Sequence, residues 1–231
     1  MIKVASYNIH KAIGTDRLRR PERIMAVIEE IDADIVALQE ADRRFGTRSS
    51  AIPPHLFCDV SGWRSVPFDT RHASIGWHGN AILVKPDVKV LHHALLPVPR
   101  LEPRGAVMAE VETNGQKLRV IGMHLDLSGL WRKRQIRAIL AAVDERPAMP
   151  TILMGDLNEW SPHGGCFVEF AHRFRIAATP PTFHSRRPVA RLDRIIADTS
   201  LHIADCGVHH SARSRRASDH LPVWAKVEMA G

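Results

Sequence analysis

"TILMGDLNEW", residues 151–160, sets Ile152, Leu153 and Met154 in an apolar run and then turns abruptly into Gly155, Asp156, Leu157 and Asn158. Bounded by Pro150 and Gly155, so short a run reads as a buried strand, and residues i and i+2 of an extended chain point to one side. Asp156 and Asn158 are therefore expected to face the same place. An acid and an amide delivered together at the end of a core strand are the first sign of a site.

Working outward, the same grammar recurs. "IKVASYNI" (2–9), "DIVALQE" (34–40), "NAILVK" (80–85), "VARLDRIIAD" (189–198), "LHIADCGV" (201–208) and "PVWAKVEM" (222–229) read as strands. "GAVMAEVETNGQKLRVIGMH" (105–124) reads as two antiparallel strands joined at Asn114-Gly115, a dipeptide suited to a tight hairpin turn. "PERIMAVIEEID" is expected to be a helix with Pro21 in its first turn and Ile24, Val27, Ile28 and Ile31 on one face. "WRKRQIRAILAAVDE" (131–145) is a second amphipathic helix, while Arg43–Gly79 and Ser161–Pro188 read as loop-rich surface. Hairpins mixed with helix crossovers predict an α/β protein of two mixed sheets packed face to face and covered by helices. At 231 residues and 45% apolar composition the chain is expected to form one domain, residues 1–231.

A formal charge of +7 and a pI near 9.8 favour polyanionic partners: nucleic acid, anionic lipid or phosphorylated metabolites. Cys58, Cys166 and Cys206 lie far apart in no metal-binding spacing, which fits a reducing compartment. No apolar stretch approaches the roughly 18 residues needed to span a bilayer, so stable membrane insertion is not expected. A cytoplasmic location is the expectation.

Polar residues sit where the strands end. "VASYN" ends at Asn8, "DIVALQE" at Glu40, "RVIGMH" at His124 and "TILMGD" at Asp156, while "SDHLPVWAKV" opens with Asp219 and His220. One such acid reads as a turn former or helix cap, but several together form a rim. Asp193, inside a core-like strand, costs several kcal/mol unless paired or ligated, and His220 or a metal supplies a partner. Glu40, Asp156, Asn158 and Asp219 offer hard oxygen atoms that suit Mg²⁺, with Mn²⁺ as a substitute, and HExxH zinc spacing is absent. His124 and His220 move protons near neutral pH, and Asp193 beside His220 would hold its tautomer. Such a set hydrolyses a phosphate ester, whereas GxSxG elbows and GxxxxGK[ST] loops are missing.

In these blocks the chain resembles the endonuclease/exonuclease/phosphatase superfamily, the DNase I-like fold. The resemblance rests on "YNIH" with Asn8, "LQE" with Glu40, "GNAIL" with Asn80, "MHLDL" with His124, "GDLN" with Asp156 and Asn158, "LDRII" with Asp193, and "SDHLPV" with Asp219 and His220. It implies a four-layer α/β/β/α sandwich with one metal-dependent site at the top edge of two central sheets. It implies Glu40 as principal metal ligand, assisted by Asn8 and Asp219, and His220 as general base oriented by Asp193. Asp156 would position the nucleophile or serve the leaving group, with Asn158 and His124 steadying the phosphate. His10 departs from the family's usual Asp or Asn, which puts a second metal position in doubt.

Basic residues extend this reading. Arg132 and Arg134, with Lys133 and Arg137, crowd the start of a helix where the macrodipole disfavours cations, so a nearby anion would offset them. Arg104 in "EPRGAV" and Asn80 are further substrate-binding candidates, and Arg213, Arg215 and Arg216 stand close to Asp219 in the chain. Trp63, Trp77, Trp131 and Trp160 read as core before they read as stacking platforms. The expected activity is a metal-dependent phosphodiesterase of nuclease type acting on DNA or RNA. The alternative substrate is a phospholipid or inositol phosphate, and a catalytically inert binding module is the competing class.

Overall fold

The computed structural model describes residues 1–43, 49–57, 62–68, 74–161, 164–170 and 173–230. In chain order the elements are β1 (Ile2–Asn8), α1 (Pro21–Ile31), β2 (Ile35–Gln39), β3 (Arg64–Ser65), β4 (Ala81–Val84), β5 (Lys89–Leu96), β6 (Gly105–Thr113) and β7 (Gln116–His124). There follow α2 (Gly129–Asp144), β8 (Thr151–Asp156), β9 (Phe174–Ile176), β10 (Asp193–Asp198), β11 (Leu201–Val208), α3 (Ser214–Ala217) and β12 (Val223–Met229). One sheet runs β11-β12-β1-β2-β4-β3 and the other β5-β6-β7-β8-β10-β9. Each mixes antiparallel pairs with one parallel pair, β1 with β2 and β7 with β8.

Alternation along the strands explains the layering. Val4, Ala37 and Ile82 point into a core shared with Val107, Val120, Ile152 and Ile195 of the other sheet. Their neighbours Ala5, Val36, Leu38, Ala81 and Leu83 point outward onto Ile24, Val27, Ile28 and Ile31 of α1. On the far side Met108, Ile121, Leu153 and Ile196 pack against Ile136, Ile139 and Val143 of α2. Strands buried on both faces lose their polar alternation, which is why they read as continuous apolar runs. Three apolar interlayers separate four layers, the expected α/β/β/α sandwich.

The hairpin turns at Asn114 (φ 50°) and Gly115 (φ 73°), the two positive angles that a two-residue turn requires. Other expectations are corrected. β5, β3 and β9 were not expected as strands: β5 is partly exposed, with His92 and His93 on the surface, and β3 and β9 are short edge strands. The strand expected over 189–198 begins only at Asp193, because Val189 and Ala190 bond instead to the carbonyl of Phe183. The second helix starts two residues earlier than expected, at Gly129. Cys58 lies outside the described residues; Cys166 and Cys206 are free thiols. Among the described residues no helix is long and apolar enough to cross a membrane.

Candidate active site

Register places the chemistry. β7 and β8 run parallel with His124 opposite Asp156, and β8 and β10 run antiparallel with Asp156 opposite Asp193. Three strand ends thus set His124, Asp156 and Asp193 side by side. Gly155 permits this closeness, since a Cβ there would lie 1.8 Å from the carbonyl oxygen of Met123. From the other sheet Asn8 closes the group, its Nδ2 donating to Asp156 Oδ2 at 3.0 Å.

His220 arrives from the loop before β12. Its Nδ1 donates to Asp193 Oδ2 at 2.8 Å, its Nε2 stands 3.8 Å from Asp156 Oδ2, and Thr182 Oγ1 donates to the same Asp193 oxygen at 2.6 Å. Burial disfavours the imidazolium, but Asp193 and then Asp156 outweigh it and raise His220 to about 10. His124 behaves in the opposite sense. Burial, helped by the positive charge of Arg104, pushes it down to about 3 although Asp156 lies 3.4 Å away. Two histidines that face one carboxylate are thereby shifted in opposite directions, the pattern by which a site separates acid from base.

Glu40 follows β2 in the left-handed region, φ 54°, and so turns away from the strand it ends. Its carboxylate pairs with Lys11, itself left-handed at φ 56°. Burial raises its pKa, but the Lys11 hydrogen bond and charge, with His10 and Arg104, hold Glu40 below the usual carboxylate range. A cleft of about 50 Å³ is lined by Lys11, Glu40, Arg104 and His124 among others. Non-glycine residues with positive φ gather here, His10, Lys11, Glu40, His78 and Asn158 among them, and such backbone strain persists where surrounding structure over-determines it.

Each sequence-predicted residue can now be placed. Asn8, Glu40, His124, Asp156, Asp193 and His220 converge; Asp219 borders them, 3.7 Å from His10 Nδ1. Asn158 does face Asp156, but not by strand alternation. It is left-handed at φ 51°, its backbone N–H donates to Asp156 Oδ1 at 2.9 Å, and its side-chain amide donates to the Leu125 carbonyl at 2.9 Å. Arg104 donates to His124 Nε2 and to the Leu125 carbonyl, which puts it in the cleft.

Three candidates sit elsewhere. Asn80 is fully buried and its amide donates to the Gly105 carbonyl at 3.1 Å, so it ties the two sheets together. Arg132 is buried, its guanidinium on Glu159 at 3.1 Å and on the Leu127 carbonyl at 2.6 Å; that carboxylate is the anion offsetting the helix start. Arg134 is exposed on α2, stacked 5.2 Å over Trp131. Sequence reasoning passed over Lys11, Thr182 and Phe183. Phe183 packs 4.9 Å from the His220 ring and 6.0 Å from Trp160, and Trp160 is 62% exposed rather than core.

The comparisons with known proteins bear on this constellation. The profile described as "Endonuclease/Exonuclease/phosphatase family" matches residues 5–220. The chain belongs to that family. Its members are phosphoester hydrolases, and the stretch matched runs from β1 to His220. Solved structures agree in fold: an endonuclease/exonuclease/phosphatase from Bacteroides vulgatus is 17% identical, with 99% of each chain covered and a TM-score of 0.78. A mannosyl-6-phosphatase of Bacteroides thetaiotaomicron is 19% identical over 99% of this chain and 100% of its own, TM-score 0.76. D. rerio TDP2 complexed with a single-strand DNA product is 17% identical over 99% of each chain, TM-score 0.75. None of the curated proteins matches the sequence significantly.

Proposed function

We propose that the chain is a Mg²⁺-dependent phosphodiesterase of nuclease type, with Mn²⁺ able to substitute. The observation that carries this reading is the joined hydrogen-bond line Thr182–Asp193–His220 facing Asp156, with His124 and Arg104 on the opposite side of that carboxylate.

The residues suit a small hard cation. Among the described residues Asp193 Oδ1 is buried without a hydrogen-bond partner, and Asp156, Asp193 and His220 present ligand atoms within 4.8 Å of one another. His220 and Asp193 Oδ2 are committed to each other, however, so the oxygen-rich side of the cleft is the better seat for magnesium: Glu40, with Asn8 and Asp219. A cleft of about 50 Å³ takes an ion and a few waters, at roughly 10–15 Å³ of such volume per water. When bound, the ion polarises the phosphoryl oxygens and lowers the pKa of water.

The chain's own groups do the rest. His220 Nε2, its ring fixed by Asp193, would take the proton of the attacking water near Asp156 once divalent charge in the cleft offsets the carboxylates that otherwise hold a proton on the ring. Asp156 accepts from Asn8 and Asn158 and so stays oriented between the two histidines. His124, neutral because it is buried, takes a hydrogen bond from Arg104 at Nε2, and the guanidinium neutralises negative charge on the phosphoryl group. Phospholipid and inositol phosphate remain the alternative substrates of the same chemistry. A panel of DNA, RNA, phospholipid and inositol phosphates assayed with Mg²⁺ and Mn²⁺, with Glu40→Ala as the blank, tests the reading. Turnover of nucleic acid is expected to exceed the others; preferential turnover of lipid would overturn it.

A further inference from the structure

Three loops that are distant in sequence are pinned together beside His220. The amide of Thr15 donates to the Arg216 carbonyl at 3.1 Å, and Arg186 Nη2 donates to the Thr15 carbonyl at 2.9 Å. Ser185 bridges the second and third loops, its amide donating to the Asp219 carbonyl at 2.7 Å and its hydroxyl to the Ser218 carbonyl at 2.6 Å. Arg23 adds a further tie, donating to the Arg216 carbonyl at 3.0 Å. Backbone hydrogen bonds, with the side chains of Arg23, Ser185 and Arg186, organise this face, and most of its arginines are exposed.

Those side chains are mostly one charge. Arg17, Arg186, Arg187, Arg213, Arg215 and Arg216 are all exposed. The opposing carboxylates are already engaged: Asp16 by Arg23 at 2.9 Å and Glu30 by Arg213 at 3.1 Å. The face also leads into the hydrolytic centre. Arg186 is three residues from Phe183, at most about 10 Å of chain, and Phe183 touches the His220 ring. Beyond Phe183 stands Trp160, its indole largely exposed at 62% and held edge-on to the Phe183 ring.

We infer that this face binds a single nucleic-acid strand, with consecutive phosphates on Arg186, Arg187 and Arg215 and a base stacked on Trp160. Guanidiniums present paired donors that match phosphate oxygens, and an exposed indole stacks on any base once the strand is unpaired. A membrane surface would use the arginines and an exposed indole alike, so vesicle binding is the competing outcome of the test. The inference deepens the nuclease reading by naming the form of its substrate, and it rests on that reading only for what happens at the bond being cut.

The test is fluorescence anisotropy of a 5′-fluorescein 12-nucleotide single strand with the full chain in EDTA, across 50–200 mM salt. The same titration is run with a 12-base-pair duplex and with phosphatidylserine vesicles. Arg186→Ser/Arg187→Ser/Arg215→Ser is expected to weaken strand binding at least 10-fold and to make the log–log salt slope shallower by about 2, at 0.7 per phosphate for single strands. The matching triple Lys variant should keep most of that slope, which separates lost charge from lost folding. Trp160→Ala should weaken binding about 5- to 100-fold with the slope unchanged, as expected of lost stacking. Equal binding by wild type and the triple Ser variant, or binding of vesicles or duplex in preference to the strand, would overturn the inference. A strand that binds as described but survives intact in Mg²⁺ would remove the nuclease reading and support the strand-binding face.

Discussion

Asp193→Asn removes one charge from the centre of the site and almost nothing else. Asp193 is fully buried, and its Oδ2 accepts from both His220 Nδ1 at 2.8 Å and Thr182 Oγ1 at 2.6 Å. An amide of the same shape can still accept from one of them, so the fold is expected to survive. The carboxylate is also the chief cause that lifts His220 to about 10 against its burial. That lift is what remains after burial has been overcome by the carboxylates, Asp193 first and then Asp156 and Asp219. Losing the largest share should lower the His220 pKa by at least one unit. Proton transfer by a positioned side chain is worth about 10²–10⁴ in rate, and an imidazole without its orienting acid forfeits much of that. We therefore expect kcat for bis-p-nitrophenyl phosphate in Mg²⁺ to fall about 10²- to 10³-fold, with KM nearly constant. The acid limb of the pH–rate profile should move to lower pH, because the base loses its proton more readily once the carboxylate charge is gone. A kcat within 3-fold of wild type, with an unmoved limb, would refute the claim that Asp193 acts through His220.

Other perturbations separate structure from chemistry. Arg132→Met leaves Glu159 charged and buried, so a loss of about 3 kcal/mol and a melting temperature lower by roughly 10 °C are expected in calorimetry. KM should not change if Arg132 props α2 and does not hold phosphate. In EDTA, chemical-denaturation stability should be greatest near pH 6.5. His124 is held below its ordinary pKa, so the unfolded chain takes up the proton first and roughly 2 kcal/mol is lost between pH 6.5 and 5; His124→Gln should flatten that side. His220 is held above its ordinary pKa, so its contribution is complete below 6.5 and disappears as pH rises toward 10. Lys11→Met removes the cation that competes for Glu40, and calorimetric titration should show Mg²⁺ binding about 5-fold tighter; weaker binding would mean that Lys11 helps to hold the ion's surroundings.

Most of the architecture could be read because it is buried on both sides. β1, β2, β8 and β10 are covered by a sheet on one face and helix or sheet packing on the other, and the middle of each carries consecutive apolar residues on both faces, such as Ile35–Leu38, Ile152–Met154 and Ile195–Ala197. β5 was illegible for the converse reason: half of it faces water and carries His92 and His93. The strand-end residues were legible because a polar group that terminates a core strand is energetically exceptional, as at Asp156 and Asp193. Partnerships across the chain were not. Nothing local connects Arg132 with Glu159, 27 residues away, or makes Asn80 a buried tie between sheets. Left-handed residues were equally hidden, since Lys11, Glu40 and Asn158 owe their positions to backbone that tertiary contacts over-determine. Asn158 shows how a correct placement can follow from an incorrect geometry: the turn, not strand alternation, returns it to Asp156.

The claim on which everything rests is that Glu40, just after β2, and His220, just before β12 and bonded to Asp193 of the other sheet, serve one divalent ion and one phosphate. Hydrolysis of bis-p-nitrophenyl phosphate after EDTA treatment, with Mg²⁺ restored stepwise, measures it directly in wild type, Glu40→Ala and His220→Ala. Activity is predicted to vanish in EDTA, to return with Mg²⁺ in the wild type, and to stay at least about 10²-fold lower in both variants. Undiminished hydrolysis in EDTA, or wild-type rates from either variant, would contradict it.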